Sequence, residues 1–137
     1  MTLPGLRQRL SSFLRAETGS ATVEFTLWAP ALLAILLLGA DASTAFTRQS
    51  NLWRISNETA RIVSRHALDA EAGAAFARNR MRIGSYVPEI EVKIDDETQM
   101  VTVSVTVDAR QMAPFGILSL ALGDRISFAV SQMLEPI

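Results

Sequence analysis

One uncharged stretch, from Phe25 to Ala40, constrains this chain more than any other feature of its sequence. The apolar run that contains it begins at Ser20, and its 21 residues would reach roughly 30 Å as a helix, the thickness of a bilayer's hydrocarbon core. A helix buried in a soluble protein is disfavoured, because a chain of 137 residues has too little other sequence to surround it. We therefore expect a transmembrane helix over residues 20–42.

Charges that flank this helix predict its orientation. Arg7, Arg9 and Arg15 precede it, against the single acid Glu17. Because basic flanks tend to stay in the cytoplasm, we expect residues 1–19 on that side and residues 43–137 as an extracytoplasmic domain. Inside the apolar run the one ionisable residue is Glu24. Placing an ionisable group in hydrocarbon costs free energy, and such groups in membrane helices usually have a function.

Three interpretations of the N-terminus remain open on these residues. A secretory signal peptide would be cut at the Ala-x-Ala of residues 40–42. An uncleaved single-pass anchor would keep Glu24 near the positive end of the helix dipole. A prepilin-type leader would be cut after Gly19, which makes Ser20 the first residue of the mature chain and Glu24 the fifth.

A family resemblance favours the third interpretation. The run Gly19-Ser20-Ala21-Thr22-Val23-Glu24-Phe25, followed by Ala29-Pro30 and Leu-rich sequence, resembles the N-terminus of TadE/TadF-type minor pseudopilins of the tight-adherence (Tad or Flp) pilus system. The resemblance implies cleavage by prepilin peptidase between Gly19 and Ser20, and a role of Glu24 and Phe25 in subunit assembly. In pilin-like proteins the glutamate pairs with the terminal ammonium of a neighbouring subunit, and two such charges offset each other's desolvation.

The same resemblance implies the protein's location and partners. We expect a single-pass protein of the bacterial inner membrane, with its C-terminal domain in the periplasm or incorporated in the pilus. The implied partners are prepilin peptidase, the major Flp-type pilin, another minor pseudopilin, the inner-membrane assembly platform and membrane lipid. Pro30 is expected to kink the membrane helix, where neighbouring groups make proline tolerable.

Beyond the membrane, the spacing of Leu52, Ile55, Ile62 and Val63 predicts an amphipathic helix with charges on its other face. Pairs at i,i+4, Arg54–Glu58 and Arg65–Asp69, would support it. We expect this helix to continue from the membrane helix, with a break near residues 41–44, and to end near Gly84.

After Pro88 the hydrophobic period changes to two, which predicts strands around residues 89–94, 101–108 and 126–131. The apolar face of these strands would pack on the apolar side of the helix. The expected fold is therefore α+β and pilin-like: a long N-terminal helix, membrane-spanning in its first half, packed against a small antiparallel sheet of about three strands. In the apolar connection over residues 109–124, Pro114 and Gly123 would begin and end a short helix, which either closes the core or contacts a partner subunit or the membrane face.

Signals for catalysis and nucleic-acid binding are missing from the sequence. There is no cysteine, the net charge is −1, and His66 is the only histidine, expected to be half-buried on the apolar face of the helix. Arg78, Arg80 and Arg82 would interact with the end of the helix. We expect no enzymatic activity, no cofactor, no metal and no nucleic-acid partner. The competing function is a membrane-anchored periplasmic binding or interaction protein unrelated to pili.

Overall fold

A computed structural model describes residues 18–136, so nearly all of the leader expected over residues 1–19 lies outside the described part of the chain. The described part of the chain divides into two compact units, a first that ends at Leu36 and a second that begins at Leu37. Its helices and strands, in chain order, are α1 (Thr18–Ser64), α2 (Ala70–Arg80), β1 (Glu89–Asp95), β2 (Met100–Asp108), α3 (Ala109–Met112), α4 (Ile117–Leu122) and β3 (Arg125–Met133).

Helix α1 continues without interruption through residues 41–44. The break expected there is wrong. Within residues 18–136, α1 is the one helix long and apolar enough to cross a membrane. Its residues in the first unit expose large apolar side chains: Val23, Phe25, Leu27, Trp28, Leu32, Leu33, Ile35 and Leu36. This fits a single-pass membrane anchor.

Helix α1 ends at Ser64, and the expectation of one helix continuing to Gly84 is also wrong. His66 adopts a left-handed conformation with φ 57°, while its N–H donates to the Val63 carbonyl at 2.9 Å and the Ala67 N–H donates to the Ile62 carbonyl at 3.2 Å. This pair of bonds is the Schellman arrangement, which satisfies the last carbonyls of a helix and reverses the chain. The direction of the chain therefore changes between α1 and α2.

Helix α2 begins with a side-chain cap. The Asp69 carboxylate accepts the N–H of Ala72 at 2.7 Å, which satisfies one of the unpaired donors of the first turn. The close approach of α2 to α1 requires Gly73, because a Cβ at this position would lie 2.6 Å from Val63 Cγ2. The reversal at His66 and this small residue together bring α2 against the last turns of α1.

Strands β1, β2 and β3 form an antiparallel sheet in the order β1-β2-β3, as the period-two pattern predicts. Ile90 pairs with Val105 on one side, and Val103 pairs with Val130 on the other. In the turn between β1 and β2 the Asp95 carboxylate accepts the N–H groups of Glu97 at 3.0 Å and Thr98 at 3.3 Å. The strands and their connections are thus defined by local hydrogen bonds as well as by side-chain alternation.

The core lies between the sheet and the helices of the second unit. Four valines of β2 are completely buried, which confirms that one face of the sheet is apolar and covered. The cluster consists of Ala45, Leu52, Ile55, Ala60, Ala77, Met81, Ile90, Val103, Val105, Val107, Met112 and Val130. The predicted fold class, a long helix and a small antiparallel sheet in an α+β arrangement, is confirmed.

The connection between β2 and β3 contains two short helices rather than one. Gly123 caps the C-terminal end of helix α4, as expected, but the helix begins at Ile117 and not at Pro114. The residue before it, Gly116, has φ 74°, a left-handed conformation that side chains other than glycine rarely adopt. This glycine sets the direction in which the backbone N–H groups of the first turn of α4 point.

Candidate functional site

The residues of the expected cleavage site lie in the first turn of α1. Gly19 and Ser20 have helical backbone, and the side chains of residues 18–20 lie outside the described part. Glu24 follows one turn later and is exposed, and among residues 18–136 its carboxylate forms no ion pair.

The surroundings of Glu24 are apolar and exposed. Phe25 exposes 68% of its surface, and the Thr26 hydroxyl donates to the Thr22 carbonyl at 2.7 Å rather than to Glu24. A carboxylate among such side chains within a membrane would need a partner from outside its own helix. Pro30 lies inside α1, where it provides no N–H for the carbonyl four residues earlier, and its kink remains a prediction.

Asp41 forms a second polar centre, which the sequence did not reveal. Its side chain is completely buried, although it follows the uncharged run by a single residue. One carboxylate oxygen accepts the Phe115 N–H at 2.7 Å, and the other accepts the N–H groups of Ile117 at 2.7 Å and Leu118 at 3.2 Å. Three donors for one carboxylate provide the compensation that a buried charge requires.

The same connection is attached to α1 at a second place. Two turns beyond Asp41, the half-buried Arg48 donates from its guanidinium to the Gln111 carbonyl. Asp41 and Arg48 are seven residues apart, so they lie on one face of the helix. One accepts hydrogen bonds and the other donates them, and together they attach the segment from Gln111 to Leu118 to α1. In the sequence, the signal for Asp41 is its position at i−4 from Ala45, in line with the buried face that continues to Leu52.

His66 does not lie on the apolar face of a helix, as the sequence suggested. It is exposed at the turn after α1, where its Nε2 lies 3.1 Å from the Glu135 carbonyl oxygen. Arg65 binds the carboxylate of the same Glu135 at 3.0 Å. Among the residues that the structure describes, no group of three or more metal-ligating side chains is found. His66 thus belongs to a set of contacts that joins the end of α1 to the chain after β3.

The basic side chains at the end of α2 have specific partners. Arg80 binds Glu58 at 2.7 Å and covers the ring of Phe76 at 4.7 Å, and Arg78 donates to the Ile90 carbonyl at 3.3 Å. Arg82 is exposed. The two expected i,i+4 ion pairs are wrong. Glu58 pairs with Arg80, and Arg54 donates to Asn51 at 3.2 Å. Arg65 binds Glu135, and Asp69 caps α2. These arginines connect α2 to α1 and to the sheet.

The comparison with protein families gives one match. Residues 19–61 match the model of the family described as TadE-like protein. The segment begins at Gly19, includes Glu24 and Pro30, and ends three residues before the end of α1. The comparisons with curated proteins and with solved structures found no significant match. The match confirms the resemblance of the N-terminal motif: residues 19–61 of this protein are similar to the TadE-like family of the Tad pilus system.

Proposed function

We propose that the protein is a minor pseudopilin that takes part in the assembly of a Tad-type pilus, and thereby in adherence and biofilm formation. The observation that carries the proposal is the TadE-like match over residues 19–61, because that segment contains both the Gly19–Ser20 motif and the candidate membrane helix. The protein would be a single-pass protein of the bacterial inner membrane, with residues 43–137 in the periplasm. Its partners would be the major pilin, another minor pseudopilin and the assembly platform.

Processing and assembly are linked in this proposal. Prepilin peptidase would cut after Gly19 and leave an ammonium group on Ser20. In a neighbouring subunit the exposed Glu24 would accept this ammonium, with Phe25 packing beside the pair. Two opposite charges that are both removed from water stabilise each other only at close range, so the pair would select one axial register between adjacent helices.

The first experiment determines the N-terminus of the mature protein. The full chain would be expressed with prepilin peptidase, extracted from membranes and examined by intact-mass spectrometry. We expect Ser20 as the first residue, and the intact leader when the peptidase is omitted. A mature chain that keeps its leader in the presence of the peptidase, or one that begins at Ser43, would contradict the proposal. Either result would favour a simple membrane anchor or an exported binding protein.

The second experiment examines Glu24 separately from cleavage. Glu24→Gln keeps the size of the side chain and removes its charge, so we expect normal cleavage after Gly19 but a strong loss of assembled pili. The matched control is Glu97→Gln, which removes an exposed carboxylate in the turn between β1 and β2. Pilus yield would be counted by electron microscopy. Unchanged piliation in the Glu24→Gln strain would refute the charge pair while leaving the cleavage result intact.

A further inference from the structure

The connection between β2 and β3 has an unusual composition for a surface segment. Its 13 residues from Gln111 to Gly123 include no charged side chain, whereas Arg110 and Asp124 flank it directly. Within it, Phe115 exposes 57% of its surface and Leu120 exposes 89%. Leu118 points the other way and packs against the core. The segment therefore covers the core with one side and presents large apolar side chains to its surroundings with the other.

Asp41 and Arg48 determine where along α1 this segment lies. The Asp41 carboxylate receives the N–H groups of Phe115 and Ile117, each at 2.7 Å. Asp41 is also the first charged residue after the uncharged run of the candidate membrane helix. The segment is thus attached to α1 at the residue where the sequence changes from apolar to polar. In a membrane protein this is the level of the headgroups and the outermost acyl carbons.

The hydrogen bonds at Asp41 also change how well the segment tolerates lipid. A loop at this depth is normally disfavoured, because an unpaired backbone N–H is energetically costly away from water. Three N–H groups of this loop, those of Phe115, Ile117 and Leu118, donate to the one buried carboxylate instead. The Gln111 carbonyl is satisfied in the same way by Arg48. These four backbone groups do not need water, and the exposed large side chains of the segment are apolar.

We propose that residues 113–120 form an interfacial membrane contact, in which Phe115 and Leu120 insert into the phospholipid leaflet on the side of the C-terminal domain. Short apolar segments next to an anchor bind the interface by burying such side chains among the acyl chains. The contact would limit rotation and tilt of the domain at the membrane surface. This inference requires that α1 spans the bilayer, but it does not depend on cleavage at Gly19 or on pilus assembly.

The test uses the absence of cysteine in the chain, which allows single labels at chosen positions. Leu120→Cys in the full chain would carry an environment-sensitive fluorophore and be reconstituted into phosphatidylcholine–phosphatidylglycerol vesicles. We expect a blue-shifted emission and several-fold quenching by phospholipids with a nitroxide near the headgroup. The matched control is Glu97→Cys, which should show water-like emission and little quenching.

The control position is well separated from the proposed contact. The turn that contains Glu97 is near the Ser64 end of α1, since Gln99 accepts Leu134 N–H at 2.8 Å and Ser64 accepts Glu135 N–H at 2.9 Å. Along α1 this end lies roughly 35 Å from Asp41, given about 1.5 Å of rise per residue. Both side chains are exposed, so neither label replaces a contact in the core.

Two outcomes would overturn the proposal. If quenching at position 120 is as weak as at position 97, the segment is not in the lipid. The emission at position 120 could also be blue-shifted although the lipid nitroxide does not quench it. If that blue shift disappears when the protein is diluted in the membrane, a second copy of the chain covers the segment instead of lipid. Conversely, adding Phe115→Asp to the Leu120→Cys variant should reduce the quenching if lipid is the occupant, because a carboxylate opposes insertion.

Discussion

Replacing Gly73 by alanine should destabilise the protein, and the same replacement should stabilise it once Val63 is also alanine. In the structure the Cβ of residue 73 would lie 2.6 Å from Val63 Cγ2 and 3.7 Å from Thr59 Cγ2. The first distance is much shorter than a van der Waals contact. Val63 exposes only 1% of its surface, so its side chain is surrounded by other atoms of the protein.

Two effects of opposite sign determine the result. Alanine is favoured over glycine in a helix interior by about 1 kcal/mol, because glycine has more backbone entropy to lose. Overpacking a filled core costs about 1–3 kcal/mol. We therefore expect Gly73→Ala to lower the free energy of unfolding by up to about 2 kcal/mol in the wild-type background.

The Val63→Ala background isolates the packing effect. This variant removes Cγ2, and by itself should cost about 1–3 kcal/mol because it deletes buried methyl groups. Without that methyl group, Gly73→Ala has only the helix propensity to gain, and should raise the free energy of unfolding by about 1 kcal/mol. The double-mutant cycle should therefore give a coupling of about 1–3 kcal/mol.

The measurement is urea unfolding of the full chain in detergent micelles, followed by near-ultraviolet circular dichroism. Ala75→Gly is the matched control, since it changes propensity in the same helix at an exposed position. It should lower stability by about 1 kcal/mol in both backgrounds. If Gly73→Ala stabilises the wild-type chain as much as it stabilises the Val63→Ala variant, the close approach of the two helices does not exist in solution.

Two further predictions concern carboxylates that accept backbone N–H groups. Asp41→Asn replaces one accepting oxygen by a side-chain NH₂ donor that faces the loop. Backbone amide hydrogen exchange at Phe115 and Ile117 should therefore become at least ~10-fold faster. The control Asp124→Asn should leave these exchange rates unchanged. At Asp95, hydrogen bonds from the Thr98 hydroxyl and from nearby backbone N–H groups lower the pKa from its ordinary value of 3.8. A lowered folded-state pKa stabilises the protein above the unfolded pKa, and this contribution is lost as the pH falls below 3.8 and through the folded-state pKa. The Asp95 pKa, measured by NMR titration, should rise towards 3.8 in Thr98→Ala, and no rise would exclude the hydroxyl as its cause.

Sequence periodicity correctly predicted the elements whose structure is determined by residues close together in the sequence. Alternation over residues 101–107 was sufficient for β2, because every second valine faces the core. The end of α1 was missed because His66 occupies the left-handed position where glycine is the usual signal. Local spacing also suggested a pair between Arg65 and Asp69, but Asp69 caps α2 and Arg65 binds Glu135 in the folded chain.

The candidate site could be predicted only where it is a contiguous motif. Gly19, Ser20 and Glu24 are within six residues of one another, and the resemblance carried by those residues is confirmed by the TadE-like match. Asp41 has its partners 74 to 77 residues away, in a loop whose geometry depends on Gly116. No pattern of neighbouring residues reports such a contact. The partner proposed for Glu24 belongs to another subunit and is outside the reach of any single-chain pattern.

The order of the strands makes the chain vulnerable while it is being synthesised. β2 is the central strand and carries no charge from Met100 to Val107, so its open edges could pair with other chains. Its hairpin with β1 closes one edge at once, but the other edge stays open until the residues of β3 have arrived, after the 16-residue connection over residues 109–124. A ribosome that stalls within that connection would leave an aggregation-prone intermediate. We therefore expect chains truncated before Arg125 to aggregate, even though they retain the membrane helix and the TadE-like segment.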